Sequence, residues 1–319
     1  MSETTNTATI REAINSVVIS GYLKKKELRT GKNDKGDYIS GHLIICSGEH
    51  EEHRVDVMVN RLTKNGEENR AWKGIERVMN EYVSQAELME APNNLAAADA
   101  AAQATKLTTN AKLQLNEYYG RDDQLSSSPR AKSNFFSRVE ENRYAPGARF
   151  DLEGFIISKK PEIKKEEETG RLLLDMVIPG YQGAAMPMSF VVAKEAAEYV
   201  DDHYNVGNTV RVYGNMVNTV NVITTHKAGF AKAEESTQTT YVNELLIDNG
   251  EPEPYDEESP KAYDPEAIRS AMRYRENEYL PDLKKRQQEN SKKNNADAPK
   301  AGFAAATGNA PKASTGFKW

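Results

Sequence analysis

Aromatic and basic side chains recur together along this chain. On an alternating segment, Tyr22 shares one face with Lys24 and Lys26, with Lys25 and Arg29 close by, opposite Val17, Ile19 and Leu23. Phe155 stands the same way with Lys159, and Lys160, Lys164, Lys165 and Arg171 flank the loop that follows. Between these, Tyr118-Tyr119-Gly120-Arg121 closes a third segment, and Arg130, Lys132, Phe135, Phe136 and Arg138 continue the theme. Successive side chains of a strand point to opposite faces, so Tyr118/Tyr119 and Phe135/Phe136 should each leave one ring outside. Rings on which bases stack, beside cations that follow a phosphate backbone, are the two requirements for holding single-stranded nucleic acid.

Two other chemistries compete. His42, Cys46, His50 and His53 cluster in one hairpin, and Cys46 and His53 could face each other across it as zinc ligands. However, His50 lies in an acidic turn, the spacing fits no standard zinc pattern, and Cys46 reads better as a small apolar strand residue. Glu162 and Lys164 after Asp151 echo an acid pair plus lysine that could hold a divalent cation for nuclease chemistry. Lys164 sits in a charged hairpin that is more simply solvated. No Gly-Lys-Ser/Thr phosphate loop and no Gly-x-Ser-x-Gly elbow occurs. The expectation is a binding protein rather than an enzyme, with no cofactor and no metal.

The elements that would position these residues come in two copies. Residues 16 to 59 read as a three-stranded meander, with strands from Ser16, over Tyr38 to Cys46 and over Val55 to Val59. Trp72, Ile75, Val78, Met79 and Tyr82 then fall at helical spacing within Glu68 to Val83. An Ala-rich, loosely ordered insertion (85–103) and strands over Leu107–Tyr119 and Asn134–Val139 follow. The pattern repeats with strands Arg149–Lys160, Arg171–Ile178 and Pro187–Val192, a helix Ala193–His203, and strands Thr209–Thr224 and Thr240–Asp248. Gly21 and Gly154 are 133 residues apart, and at that offset, without a gap, Val17, Ile19 and Leu23 fall on Phe150, Leu152 and Ile156. Leu43 to Ile45 fall on Met176 to Ile178, and Val55, Val57 and Val59 on Met188, Phe190 and Val192. Such a period means duplicated domains rather than a solenoid. Five strands with a helix between the third and fourth is the order of the OB-fold barrel, and a glycine inside the first strand permits its sharp coiling. The expected class is mainly β with short helices: two tandem five-stranded OB barrels and a partly disordered C-terminal tail.

In the second copy, Ser189-Phe-Val-Val-Ala-Lys-Glu-Ala-Ala-Glu-Tyr-Val200 followed by Val206-Gly-Asn-Thr-Val-Arg-Val-Tyr-Gly-Asn215 resembles bacterial and phage single-stranded DNA-binding proteins. The likeness covers about 30 residues closely and the rest of the copy by pattern. It implies an OB-fold that binds single strands by stacking and backbone charge, in replication or recombination, in a phage-type member. Typical bacterial members carry one such domain per chain and end in an acidic tail with Pro-Phe, whereas this chain carries two copies and ends Phe317-Lys318-Trp319.

Composition sets the outer limits. The 319 residues are 38% hydrophobic and 28% charged, with net charge −6. The acid is concentrated: seven acids and no base from Glu244 to Glu258, then twelve Lys/Arg against seven Asp/Glu to the end. Basic surfaces therefore remain available elsewhere. One cysteine excludes an internal disulfide framework, and no apolar stretch is long enough to span a membrane. A cytoplasmic location, in the host if the protein is viral, is expected. The division is an N-terminal arm (1–15), one OB domain (16–143), a second (144–249), and an acidic linker, helix and tail (250–319). Asp264-Pro265 starts the helix. The acidic block is expected to compete with phosphates for the basic face. The tail, with Phe303, Phe317 and Trp319, is expected to dock replication or recombination proteins. OB barrels also bind proteins, so a protein-interaction module is the alternative reading.

Overall fold

The computed structural model describes residues 10–34, 36–120, 122–227 and 234–297, with side chains for all of these except 221–239 and 291–297. The first half runs β1 (Asn15–Asn33), β2 (Gly36–Gly48), β3 (Glu51–Asn60), α1 (Arg70–Glu81), α2 (Gln85–Met89), α3 (Ala97–Gln103), β4 (Lys106–Tyr119), β5 (Leu125–Lys132) and the short β6 (Ser137–Arg138). The second runs β7 (Gly147–Lys164), β8 (Glu167–Pro179), β9 (Ala185–Val192), α4 (Lys194–His203), β10 (Thr209–Lys227) and β11 (Glu234–Gly250). A helical segment follows as α5 (Pro265–Tyr274), a π turn (Arg275–Tyr279) and α6 (Leu280–Asp297). Among the described residues no helix is long and apolar enough to cross a membrane.

All eleven strands belong to one mixed sheet. Within it β1 pairs with β2, β2 with β3, β3 in parallel with β5, β5 with β4, and β4 again with β1. The second half repeats this sequence of pairings as β7, β8, β9, β11, β10 and back to β7. Two features of the repeat survive in the geometry. A bulge interrupts β1 between Leu23 and Lys25, and another interrupts β7 between Ile156 and Ser158, at the 133-residue offset. Leu43 faces Val55 in one copy, and Met176 faces Met188 in the other. The first pair of strands differs: Leu23 faces Ile45, but Ile156 faces Met176, two residues short of the equivalent position.

Both mid-strand glycines sit where strands approach closely. A Cβ on Gly21 would lie 2.3 Å from the Cys46 carbonyl oxygen, and one on Gly154 would lie 2.7 Å from Ile178 Cδ1. The inward residues of β1 to β3, Val17, Ile19, Leu23, Leu43, Ile45, Val55, Val57 and Val59, form the core with Trp72, Ile75 and Val78 of α1. Asn69 caps α1, accepting from Ala71 N at 3.0 Å.

The fifth strand of the first half is β5, not the expected Asn134–Val139, of which only Ser137–Arg138 forms a strand. Ser126-Ser127-Ser128-Pro129 reads as a loop by composition, and its pairing with β4 makes it a strand. The Ala-rich insertion holds α2 and α3, with Ala100 buried. The expected helix at 193–203 and those at 70–81 and from Pro265 are present.

Three ties join the halves. β1 pairs with β7 from Asn15–Leu152 to Ser20–Gly147. The β10–β11 hairpin reaches β3: Thr219 pairs with Glu51, and Val220 N donates to His50 O at 2.8 Å. The third tie is the segment read as an acidic linker. Glu251 N bonds to Arg211 O and Tyr255 N to Thr209 O, both at 2.9 Å, and Tyr263 and Ile268 are buried in the core. Beyond the π turn the chain crosses to the first half, where Tyr119 N donates to Gln287 Oε1 at 2.9 Å and Lys284 pairs with Asp123 at 3.2 Å. The tail from residue 298, with Phe303, Phe317 and Trp319, lies outside the described residues.

Candidate nucleic-acid interface

The outer face of β1, β2 and β3 is open. Its register places Lys25 beside Ile44 and Arg54, Glu27 beside His42 and Asp56, and Arg29 beside Ser40 and Met58. Tyr38 and Asn60 end the face, and Asp56 faces Lys132 of β5. Met58 is fixed by Asn134, which accepts from its N at 3.1 Å and donates to its O at 2.9 Å. The next residue, Phe135, is 68% exposed. Acids on the face are matched by neighbours: Glu27 by Lys25, Asp56 by Arg54 at 2.8 Å, and Asp37 by Arg61 at 3.4 Å. The carboxyl of Glu27 is held below its ordinary range by the hydrogen bond from Lys25. Arg29, Arg130 and Lys132 have no ion-pair partner among the described residues, so the face keeps net cations between exposed apolar side chains.

The expected site residues divide sharply. Tyr22 ends this face half-buried, and burial, followed by its bond to Cys46, pushes its phenol well up. Lys24 pairs with Glu52. Lys26 was expected on the outward face and is not there. The bulge at Lys24 shifts the parity, and Lys26 turns inward to Met79 O (2.9 Å), Tyr82 O (2.5 Å) and Glu87 (3.2 Å). Tyr118 is exposed, while Tyr119 lies under Lys284, whose Nζ is 5.3 Å from the ring centre. Arg121 falls outside the described residues. Phe136 packs on the core, leaving Phe135 outside. Arg138 stacks on Tyr82 at 5.1 Å and donates to Glu81 O.

The second copy does not offer the expected face. Phe155 is buried, in the same cluster as Val177, Tyr263 and Ile268, so it is a core residue. Next to it, Glu153 is buried and accepts from Arg11 (2.7 and 2.8 Å), Ile14 N (3.1 Å) and Tyr263 (3.2 Å). Burial pushes this carboxyl up, but the bonds from Arg11, Ile14 and Tyr263 outweigh it and hold it below the ordinary range. Lys159 pairs with Asp201 at 3.0 Å, and Arg171 sits between Glu162 (3.2 Å) and Glu244 (2.7 Å). Lys160 is exposed.

Neither competing chemistry is assembled. Cys46 faces Glu52 rather than His53 across the hairpin, and its thiol donates to Gly48 O. His53 is fully buried with both ring nitrogens engaged, by Ser47 Oγ at 2.8 Å and Asn218 Nδ2 at 3.1 Å. Its pKa is lowered, mainly by burial. Asp151 is held by Arg211 at 2.7 Å, and Glu162 lies near the other end of β7, so the acid pair is not brought together. Tyr38, Arg54 and Met58 were missed by sequence reasoning; the alternation of β3, with Val55, Val57 and Val59 inward, carried the signal for Arg54 and Met58.

A family model named YorF matches residues 13–290. The chain belongs to the YorF family. No curated protein matches this YorF chain in sequence. Among solved structures it is similar to a deletion mutant of the single-stranded DNA binding protein from Thermus aquaticus, at 13% identity and TM-score 0.42, covering 78% of this chain and 98% of that one. The wild-type form of that protein matches at 13% identity and TM-score 0.41, covering 76% and 93%.

Proposed function

We propose that this protein binds single-stranded DNA without regard to sequence, and without catalysis, protecting single strands in replication or recombination. In this reading each closed set of five strands is an OB barrel, residues 16–143 and 144–249, with residues 10–15 and 250–297 packed against them. OB barrels bind oligonucleotides on the outer face of their second and third strands and on the flanking loops. The observation that carries the reading is the outer face of β1 to β3. Arg29, Arg130 and Lys132 supply cations there, unpaired among the described residues, and Tyr38, Met58 and Phe135 supply apolar surface. Phosphates follow the cations, and a base stacks on Phe135. In the second barrel the positions equivalent to Ser20 and Tyr22, Glu153 and Phe155, are covered by residues 11–14 and Tyr263, so in this reading the strand runs chiefly over the first.

Anisotropy of a labelled oligo-dT at two salt concentrations tests this. Phe135→Ala should weaken binding by about 1–3 kcal/mol with an unchanged melting temperature. Arg29→Ala should lower the salt dependence by about 0.7 log units per log unit of salt for the phosphate it no longer neutralises. Binding that ignores salt, or that is equal in both variants and the parent, refutes the assignment.

A further inference from the structure

The outer face of β1 to β3 continues round the first half. Asp56 at its edge faces Lys132 of β5, and across the next pairing Lys132 faces Lys112 and Arg130 faces Gln114 of β4. Directly paired residues share one face of a sheet, so Lys132 and Arg130 lead from β3 to Lys112 and Gln114 over two strand spacings, about 10 Å. Lys112 and Gln114 form one wall of a cavity of about 410 Å³ between the two halves. Its other walls are the turn between β8 and β9, with Tyr181, and the junction of α5 with the π turn, with Tyr274. Both rings are open to a ligand, at 67% and 60% exposed, and both sit on fixed backbone. Gly180 N donates to Ala184 O at 2.8 Å to close the Tyr181 turn, and Tyr274 precedes Arg275, which is anchored on buried Glu117. The two cations of the lining are neutralised within it, Lys112 by Glu12 at 2.6 Å and Arg275 by Glu117. The cavity therefore offers rings and the apolar surface of Leu115 and Met186 but no free charge, which suits an uncharged planar group and not a phosphate. The Gln114 amide, exposed and with no side-chain partner among the described residues, can both donate to and accept from the edge of any base. Unpaired cations thus end where exposed rings begin, on one continuous surface.

We propose that this cavity is a base-binding pocket of the single-strand site: the strand leaves the β1–β3 face over Lys132 and Arg130, which take its phosphates, and turns a base into the cavity against Tyr181 and Tyr274. This rests on the reading of that face as the primary site. It also gives the second half a part in binding, through the β8–β9 turn and α5 instead of through a sheet face of its own.

The test uses the full chain and an oligo-dT long enough to run from Phe135 to the cavity. Tyr181→Ala and Tyr274→Ala should each weaken binding roughly 5- to 150-fold, the loss of one stacked base. Both should melt as the parent does, since both rings are exposed. Photocrosslinking of a bromodeoxyuridine oligomer to the unaltered chain should mark Tyr181 or Tyr274. Parental affinity in either variant, with Phe135→Ala still weakened, would overturn the pocket and leave the β1–β3 face standing. Crosslinks confined to the β1–β3 face would do the same. If Phe135→Ala is also unaffected, the face itself is wrong. A variant that loses stability is decided by the crosslink alone.

Discussion

Replacing Arg275 by Met tests how the C-terminal segment is held. In the folded chain its guanidinium reaches both carboxylate oxygens of Glu117, one of them at 3.3 Å. Removing it leaves the Glu117 carboxylate almost fully buried, with Ser127 Oγ at 3.0 Å as its remaining side-chain partner. Taking away one member of a buried pair costs about 3–5 kcal/mol, because the surviving charge stays desolvated and uncompensated. At about 2–4 °C per kcal/mol for a unit of 150–250 residues, that is a fall of roughly 6–20 °C in the melting temperature of the half that contains β4. The double variant Arg275→Met/Glu117→Leu removes both charges and should recover most of the loss, since apolar replacement of a buried pair is often neutral or better. Calorimetry of the two single variants and the double gives the coupling directly. Hydrogen exchange adds a local readout: the Tyr119 amide, bonded to Gln287, should lose protection in Arg275→Met and regain it in the double. Single variants that each cost under about 1 kcal/mol, with Tyr119 still protected, would show that the pair does not hold the segment.

Two further outcomes follow from burial. Phe155→Ala should cost about 3–5 kcal/mol in stability, unlike Phe135→Ala on the surface, because Phe155 lies in the core; a stable Phe155→Ala with weakened DNA binding would reverse that assignment. His53 has a lowered folded pKa, so its unfolded form takes up a proton first as pH falls. Stability tied to His53 is thus complete above its ordinary value near 6.5 and is lost as pH drops below it. The fall in melting temperature between pH 7.5 and pH 5.5 should be smaller in His53→Gln than in the parent, and an equal fall would place the effect elsewhere.

The duplication was legible because inward positions repeat at a fixed offset, and core packing enforces that repeat at Val17/Phe150, Ile19/Leu152 and Leu23/Ile156. Site geometry was less legible, for three physical reasons. A bulge is invisible to simple alternation: one extra residue at Lys24 sent Lys26 inward to cap the end of α1 instead of outward to a ligand. A strand's face is buried or open according to what covers it, and the segments covering Glu153 and Phe155 are 140 residues upstream and 110 downstream, as Arg11 and Tyr263 show. Finally, a cation's availability depends on acids distant in sequence, as with Arg171 and Glu244.

The acidic block after β11 illustrates the last point and settles why the two halves differ. As a free segment of five acids, from Glu251 to Glu258, it would compete with DNA for the basic face. Instead its first residue is docked: Glu251 accepts from Tyr213 OH at 2.6 Å, a bond that pushes the phenol up to about 12, and the Glu251 carbonyl accepts from Tyr204 OH. Tyr255 and Tyr263 then bind Thr209 through their backbone amides. The backbone that carries the acids is thereby tied to β10 of the second half at Glu251, Tyr255 and Tyr263. Residues 10–14 pack on β7 and β8 at the same place, where Arg11 lies 4.7 Å from the Tyr263 ring centre and both bond to Glu153, so the two segments together cover one patch of the second half. Deleting residues 250–319 would therefore uncover Phe155, take Tyr263 from Glu153 and remove the helix that packs on the β4–β5 hairpin in one step, rather than free a basic face from an inhibitor.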